Sequence, residues 1–244
     1  MTATDAYASI IGSLKDLGFE TAAERLEGVP KPTPGDVAIV LADLASEKHN
    51  KKTEDLLRRA KIKEPRYFSR IIPLPERNLD MDYIDELSTL SFLKTGQNLV
   101  IWGPPGTGKS WFLTAFATKA CEQGYKVRKI SFPKLCRTLE KAKGRSDARF
   151  ESKVNYFANF DVVCIDEFPN DKSFNAFLLQ EFFSEMEARK VRILTSSQSA
   201  PENWPKLLMV LSFGQSMTGR IAGNAKRLQL SGPDLRYRND LDLD

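Results

Sequence analysis

Gly103-Pro104-Pro105-Gly106-Thr107-Gly108-Lys109-Ser110 fits G-x-x-x-x-G-K-[ST], the loop that cradles nucleotide phosphates. The residues on either side agree with it. Asn98, Leu99, Val100, Ile101 and Trp102 form a short, mostly apolar run that reads as a buried strand. Trp111 to Cys121 reads as a helix. Strand, glycine-rich turn and helix is the context the motif needs. The glycines let backbone N–H groups converge on phosphate oxygens without side-chain clash. The helix adds its positive N-terminus. Expected phosphate contacts therefore run through Gly103, Pro104, Pro105, Gly106, Thr107, Gly108, Lys109, Ser110 and Trp111. Lys109 would reach the β- and γ-phosphates, and the Ser110 hydroxyl would ligate Mg2+.

A second half of the site follows downstream. Phe160-Asp161-Val162-Val163-Cys164-Ile165-Asp166-Glu167 is an apolar strand from which two carboxylates emerge, the form of a Walker B segment. Asp166 would hold Mg2+, directly or through water. Glu167 would polarise the water that attacks the γ-phosphate. Thr195-Ser196-Ser197-Gln198 closes a later strand, and a polar residue there can orient that water or simply end the strand. Arg220 lies in Met217-Thr218-Gly219-Arg220-Ile221, and Arg238 in Leu235-Arg236-Tyr237-Arg238. A guanidinium supplied in trans can stabilise a transferring phosphoryl group; a surface arginine can equally be solvated.

The 244 residues allow one large domain, or one domain with a small appendage. A hydrophobic content of 41% supports a sizeable core. Net charge is only +4, so partners are sought in local charge. His49 to Arg70 holds eight Lys/Arg and three acids, and Gly124 to Arg149 holds nine and two. Cys121, Cys136 and Cys164 show no C-x-x-C spacing and fit a reducing compartment. With His49 the single histidine, a zinc site built on several histidines is excluded. No apolar run approaches a membrane span and no signal peptide is seen, so a cytoplasmic protein without membrane contact is expected.

Residues from about 5 to 65 read as helical. Tyr7, Ile10, Ile11 and Leu14 share a face, and Gly18 can end that helix. Pro30 to Gly35 breaks the chain. Asp36 is the expected cap of a second helix through Val37, Val40, Leu41 and Leu44. A third is expected to bury Leu56 and Leu57. Beyond the prolines 65, 73 and 75, strands at Lys126–Ser131, Asp161–Asp166, Val191–Ser196 and Arg227–Leu230 alternate with helices at Lys134–Lys143 and Ser173–Arg189. The alternation predicts an α/β fold with a parallel sheet and flanking helices. It sits behind a small all-helical N-terminal domain. The expected boundaries are a helical domain over 1–68, a linker over 69–85, an ATPase domain over 86–238 and an acidic tail over 239–244.

With these parts assembled, the chain resembles the IstB/DnaC group of AAA+ ATPases, and within it the IstB-type helper proteins of insertion sequences. The likeness rests on Gly103 to Ser110, Ala120-Cys121-Glu122-Gln123-Gly124-Tyr125-Lys126-Val127, Asp161 to Glu167 and the closing Tyr237-Arg238. Asn50-Lys51-Lys52 with Leu56-Leu57-Arg58-Arg59-Ala60-Lys61 adds a front-end phrase. The resemblance implies an AAA+ P-loop NTPase that hydrolyses ATP with Mg2+, forms a homo-oligomer on DNA and assists a transposase. It makes Arg220 the arginine finger and Arg238 the second sensor, and it puts Ser197 at the first-sensor position. Two departures stand out. The family usually has Asn where Ser197 stands and Asp where Gly219 stands. The shorter Ser197 side chain would hold the water less firmly, and Gly219 leaves the orientation of Arg220 open.

The resemblance also places DNA contacts beyond the second strand, where Lys134, Arg137, Lys141, Lys143 and Arg145 lie. Lys134, Arg137 and Lys141 share a helix face by their spacing. Such a stripe can neutralise phosphates without reading bases. Three other readings remain: a DnaC-type loader of a replicative helicase, a nucleotide-gated DNA-binding scaffold with little hydrolysis, and a small-molecule P-loop kinase.

Overall fold

The apolar runs expected to be strands pair into one sheet in the computed structural model, which describes residues 3–30, 32–169, 174–208 and 211–237. The chain divides into two compact units, Met1–Glu54 and Asp55–Asp244. In the first, α1 (Ala3–Asp16) and α2 (Glu20–Glu27) lead into α3 (Pro34–Ala60). Leu14, Ala22, Ala23, Leu26 and Val40 are buried together, with Ile10, Ile11, Val37 and Leu44 against them. Leu41, expected on this apolar face, is 51% exposed.

The cap of α3 is Thr33 rather than Asp36. The Asp36 carboxylate accepts from the Thr33 backbone N–H at 2.7 Å and from its hydroxyl at 2.6 Å, while Thr33 Oγ1 accepts from the Asp36 N–H at 3.3 Å. This reciprocal box, with Pro34 at the first helical position, fixes the start. The helix then runs 27 residues without a break, where two helices were expected. No Gly or Pro interrupts residues 36–60, so nothing ends it earlier.

The second unit continues through α4 (Met81–Ser88) and α5 (Ser91–Lys94), and then β1 (Asn98–Trp102), α6 (Lys109–Glu122), β2 (Val127–Ser131), α7 (Phe132–Lys143) and α8 (Asp147–Ala158). It ends with β3 (Val162–Asp166), α9 (Ala176–Ala188), β4 (Arg192–Ser197), α10 (Trp204–Leu207), α11 (Leu211–Ala222) and β5 (Ala225–Gln229). The strands are parallel in the order β2-β3-β4-β1-β5.

Alternate residues of each strand feed two cores, as the pleat requires. Leu99, Ile101, Val162, Cys164 and Leu194 pack with α6, against Phe112, Phe116 and Ala117. Val100, Val163, Ile165 and Ile193 pack on the other face, with α7, α8, α9 and α11. Phe116 is fully buried and stands edge-on to Phe68 at 4.9 Å and Phe92 at 6.4 Å. All three cysteines are buried, and burial pushes the Cys121 thiol up to about 12.

Residues 55–68 were expected with the N-terminal helices. Leu56, Leu57, Ala60 and Ile62 instead bury themselves in the core of the second unit. Residues 69–85, expected to be a linker, hold short 3-10 turns at Phe68–Arg70 and Pro75–Arg77 and the start of α4. The helix expected from Ser173 begins at Ala176, capped by Asn175, whose Oδ1 accepts from Leu178 N–H at 3.3 Å. Ser173 and the acidic tail lie outside the described residues. The helix α8 was not expected. Ser146 caps it, accepting from Arg149 N–H at 3.2 Å, and Phe150, Val154 and Phe157 form its buried stripe. That stripe has helical spacing and was legible in the sequence. No helix among the described residues is long and apolar enough to cross a membrane.

Candidate nucleotide site and basic groove

The phosphate loop leaves β1 where neighbouring backbone crowds it. A Cβ on Gly103 would come within 2.0 Å of the Leu230 carbonyl oxygen, so only glycine fits. Gly106 has φ +74°, and a Cβ there would meet Asp234 Oδ1 at 1.8 Å. The segment after β5 therefore lies on the loop, and Leu235 N–H donates to Gly106 O at 3.0 Å. Thr107 is buried and its hydroxyl donates to Pro104 O at 2.9 Å. Lys109 Nζ donates to the same carbonyl at 2.5 Å. Partial burial pulls the pKa of Lys109 down and the Asp166 carboxylate opposes that, so the ammonium lacks full solvation where phosphate would supply charge.

Arg77 supports the loop from the segment expected to be a linker. The residue is 4% exposed. It donates to Ile72 O at 2.8 Å and to Thr107 O at 3.2 Å, and it lies 5.7 Å from the Phe112 ring centroid. No sequence pattern marks it, because its partners are backbone carbonyls. A hollow of about 550 Å3 opens beside the loop, with Ile71, Ile72, Trp111 and Leu235 as apolar wall and Arg66, Arg70, Arg77, Lys109 and Arg236 as cations. Its size and mixed lining suit a base and ribose.

The carboxylates stand where the sequence put them, at the end of β3. Asp166 Oδ1 accepts from Ser110 Oγ at 2.8 Å and also from Ser196 Oγ. Ser196 Oγ in turn accepts from Glu167 N–H at 3.0 Å. Glu167 is exposed and has φ +63°, a conformation that non-glycine residues adopt at a cost and that clusters at functional sites. Phe168 anchors the turn: its N–H donates to Ser196 O at 2.8 Å, and its buried ring packs on Phe132 and Trp204. A hydroxyl and a single carboxylate at a phosphate cradle fit Mg2+, which keeps waters and takes its remaining ligands from phosphate oxygens. Among the described residues no cluster of three or more His, Cys, Asp or Glu could hold a metal by itself.

Ser197 does not belong to this group. It follows Ser196 in β4 and so faces the other side of the sheet. There its hydroxyl accepts from Trp204 Nε1 at 3.0 Å and from Ser199 N–H at 3.1 Å. Strand parity corrects the expectation: the hydroxyl on the phosphate-loop face is that of Ser196. Arg238 lies outside the described residues. Arg220 sits at the opposite end of β1, where Asn98 Nδ2 donates to its carbonyl at 3.1 Å. Its Nε pairs with Glu187 at 3.0 Å and its Nη1 donates to Ser216 Oγ at 3.0 Å. The carboxylate paired with Arg220 thus comes from α9, and Gly219 beside it carries no side chain.

On the far side of the sheet, α7 and α8 border a groove of about 610 Å3. Lys134, Arg137, Lys141 and Arg145 line it as expected, joined by Arg149 and Lys153 from α8, and no carboxylate lines it. Lys143 is not in it. Its ammonium pairs with Asp147 at 2.6 Å and lies 5.4 Å from the Phe150 ring centroid. Two residues beyond Lys141, it points to another side of the helix.

Comparison with known proteins agrees with this geometry. The chain is 27% identical over 203 residues to an insertion sequence ATP-binding protein of Sinorhizobium fredii, covering 82% of this chain and 80% of that one. It is 23% identical to the IS21 ATP-binding protein of Pseudomonas aeruginosa, covering 78% and 72%. Among solved structures, DnaI superposes with a TM-score of 0.54 at 16% identity over 74% of this chain and 92% of that one. AMPPCP-bound DnaA from Aquifex aeolicus gives 0.51 at 17% identity over 67% and 49%. These two likenesses show an AAA+ P-loop fold. The family model described as IstB-like ATP binding protein matches residues 35–242, so the chain belongs to that family.

Proposed function

We propose that this protein is a Mg2+-dependent ATPase that assembles on DNA through backbone contacts and assists a transposase at its target. The observation that carries the reading is the Asp166 carboxylate, held by the hydroxyls of Ser110 and Ser196 beside an exposed Glu167. A non-hydrolysing scaffold has no need of a second carboxylate poised outside the strand. The insertion-sequence relatives favour the transposase as partner over a helicase.

In this reading the hollow beside Trp111 takes the base, and the loop amides with Lys109 take the phosphates. Ser110 and Asp166 would hold Mg2+, which would offset the negative charge of the phosphates. Glu167 accepts a proton from the attacking water, and Ser196 fixes its backbone. Arg220 of a neighbouring copy completes the site. The α7/α8 groove, cationic throughout, takes DNA phosphates without sequence readout. The N-terminal helices meet the partner or a second stretch of DNA.

The test is turnover measured with and without duplex DNA. Glu167→Gln is expected to keep ATP binding and lose about 10²- to 10⁴-fold in rate. Lys134→Glu with Lys141→Glu is expected to weaken DNA binding and to flatten its salt dependence by about two phosphate contacts. Unchanged turnover in the first variant would refute hydrolysis by this site; an unchanged salt slope in the second would refute the groove.

A further inference from the structure

A second cationic hollow adjoins the phosphate loop. It measures about 610 Å3, and Lys61, Lys63, Arg66, Arg128, Lys129 and Lys134 line it. The one carboxylate in its wall, Glu64, is already paired with Arg66 at 2.8 Å. Ser110 and Trp111 line both this hollow and the nucleotide hollow, and Lys134 lines both this hollow and the α7/α8 groove. This hollow therefore shares wall residues with both the nucleotide hollow and the groove. So many like charges converging on one space disfavour each other, and a polyanion relieves them.

Lys129 is where this hollow touches the chemistry. In β2 it pairs in register with Cys164, so its side chain shares the face of Asp166, two residues further along β3. Its Nζ donates to Thr114 Oγ1 at 2.6 Å and lies 3.7 Å from Asp166 Oδ2. The two serine hydroxyls occupy Oδ1, so the ammonium stands against the oxygen left over. That oxygen is the one available to a metal or its water. Lys129 is 23% exposed and so is also within reach of an occupant of the hollow.

We propose that a DNA phosphate entering this hollow draws the Lys129 ammonium from Asp166, so that DNA occupancy is read at the carboxylate that holds Mg2+. Lys129 is then a positioning residue, acting through Asp166. The proposal rests on the functional reading above and adds to it the route by which DNA raises turnover. Without DNA, the ammonium competes with Mg2+ for Asp166. With DNA, it is paired with phosphate instead.

The experiment titrates Mg2+ against binding of AMPPCP, which reports loading without turnover, in the presence and absence of a mixed-sequence duplex. For the unaltered protein, DNA is expected to lower the half-saturating Mg2+ about fivefold, the scale of one partly exposed ion pair. Lys129→Met is expected to show the low Mg2+ requirement without DNA and no further fall with it, while still binding the duplex through the other cations. Lys129→Arg, which keeps the charge, is expected to keep the DNA effect. Lys129→Met with an unaltered Mg2+ requirement and a full DNA effect would overturn the coupling and leave the functional reading standing. An unaltered protein that binds AMPPCP and duplex but shows no DNA effect on Mg2+ would also overturn it. One that binds no duplex would overturn both.

Discussion

The two ends of the parallel sheet carry opposite kinds of chemistry. At the C-terminal end of β1, β3 and β4 the polar groups converge: Ser110, Asp166, Ser196 and the Glu167 amide form one hydrogen-bonded chain, and Lys109 beside it donates to Pro104 O. At the N-terminal end, Arg220 is turned toward Glu187 and Ser216, at a strand end with no phosphate cradle. Strand β1 separates the two, since Asn98 holds the end of α11 and Trp102 leads into the loop. Four strand steps span about 13 Å. Arg220 therefore cannot serve the phosphate site of its own chain. If Arg220 serves a neighbour's site, as proposed above, the molecule carries half a site at each end and would associate head to tail, each copy completing the next.

The largest expected effect breaks this comparison most directly. Arg220→Ala should lower DNA-stimulated turnover about 10³-fold, as removal of an arginine finger does elsewhere, with ATP binding by the single chain unchanged. Lys109→Ala should lose nucleotide binding. Mixing the two inactive variants should then restore turnover, because some junctions pair an intact loop with an intact Arg220. If both residues served one chain's own site, the mixture would stay as inactive as its parts. A recovery of steady-state rate on mixing is the measurement.

A smaller effect sharpens the converging end. Ser196→Ala should cost about tenfold in turnover, because Asp166 and the Glu167 amide each lose a partner. Ser197→Ala should leave turnover nearly unchanged and cost about 1–2 kcal/mol of stability instead, since the buried Trp204 indole loses one of its two acceptors. Thermal melts beside rates for the two variants separate these roles. The reverse pattern would restore Ser197 to the phosphate site.

How much of this was legible follows from the kind of contact each residue makes. The phosphate loop, the Walker B pair and the parallel sheet could be read, because they need particular residue types in order along the chain. Ser197 was singled out by resemblance to the family, and that the hydroxyl bonded to Asp166 is its neighbour's became visible only in the folded strand. Arg77 left no trace, since carbonyls of any residue can receive its guanidinium. Glu187 pairs with Arg220 across 33 positions, and Lys129 meets Asp166 only through strand register. Arg149 and Lys153 were missed with the helix that carries them, although its apolar stripe was in view. Motifs are local, whereas the groups that orient them arrive from other elements and become visible only in the folded chain.

The smallest expected effect concerns the isolated end. In the finger role proposed for Arg220, the carboxylate beside it comes from Glu187 of α9, since Gly219 offers none. Glu187→Ala should therefore lower DNA-stimulated turnover about fivefold, the loss expected when one partly exposed ion pair no longer orients its arginine. A Cβ on Gly219 meets nothing within 4 Å, so a side chain can start there without backbone clash. Gly219→Asp also replaces a glycine inside α11, which should favour the helix by a few tenths of a kcal/mol. Added to Glu187→Ala, it should recover most of the lost rate. A general loss of packing around α9 would not be repaired by a carboxylate on α11, so recovery identifies orientation of Arg220 as the function of Glu187. A double variant no faster than Glu187→Ala alone would show that the pair is only a surface contact.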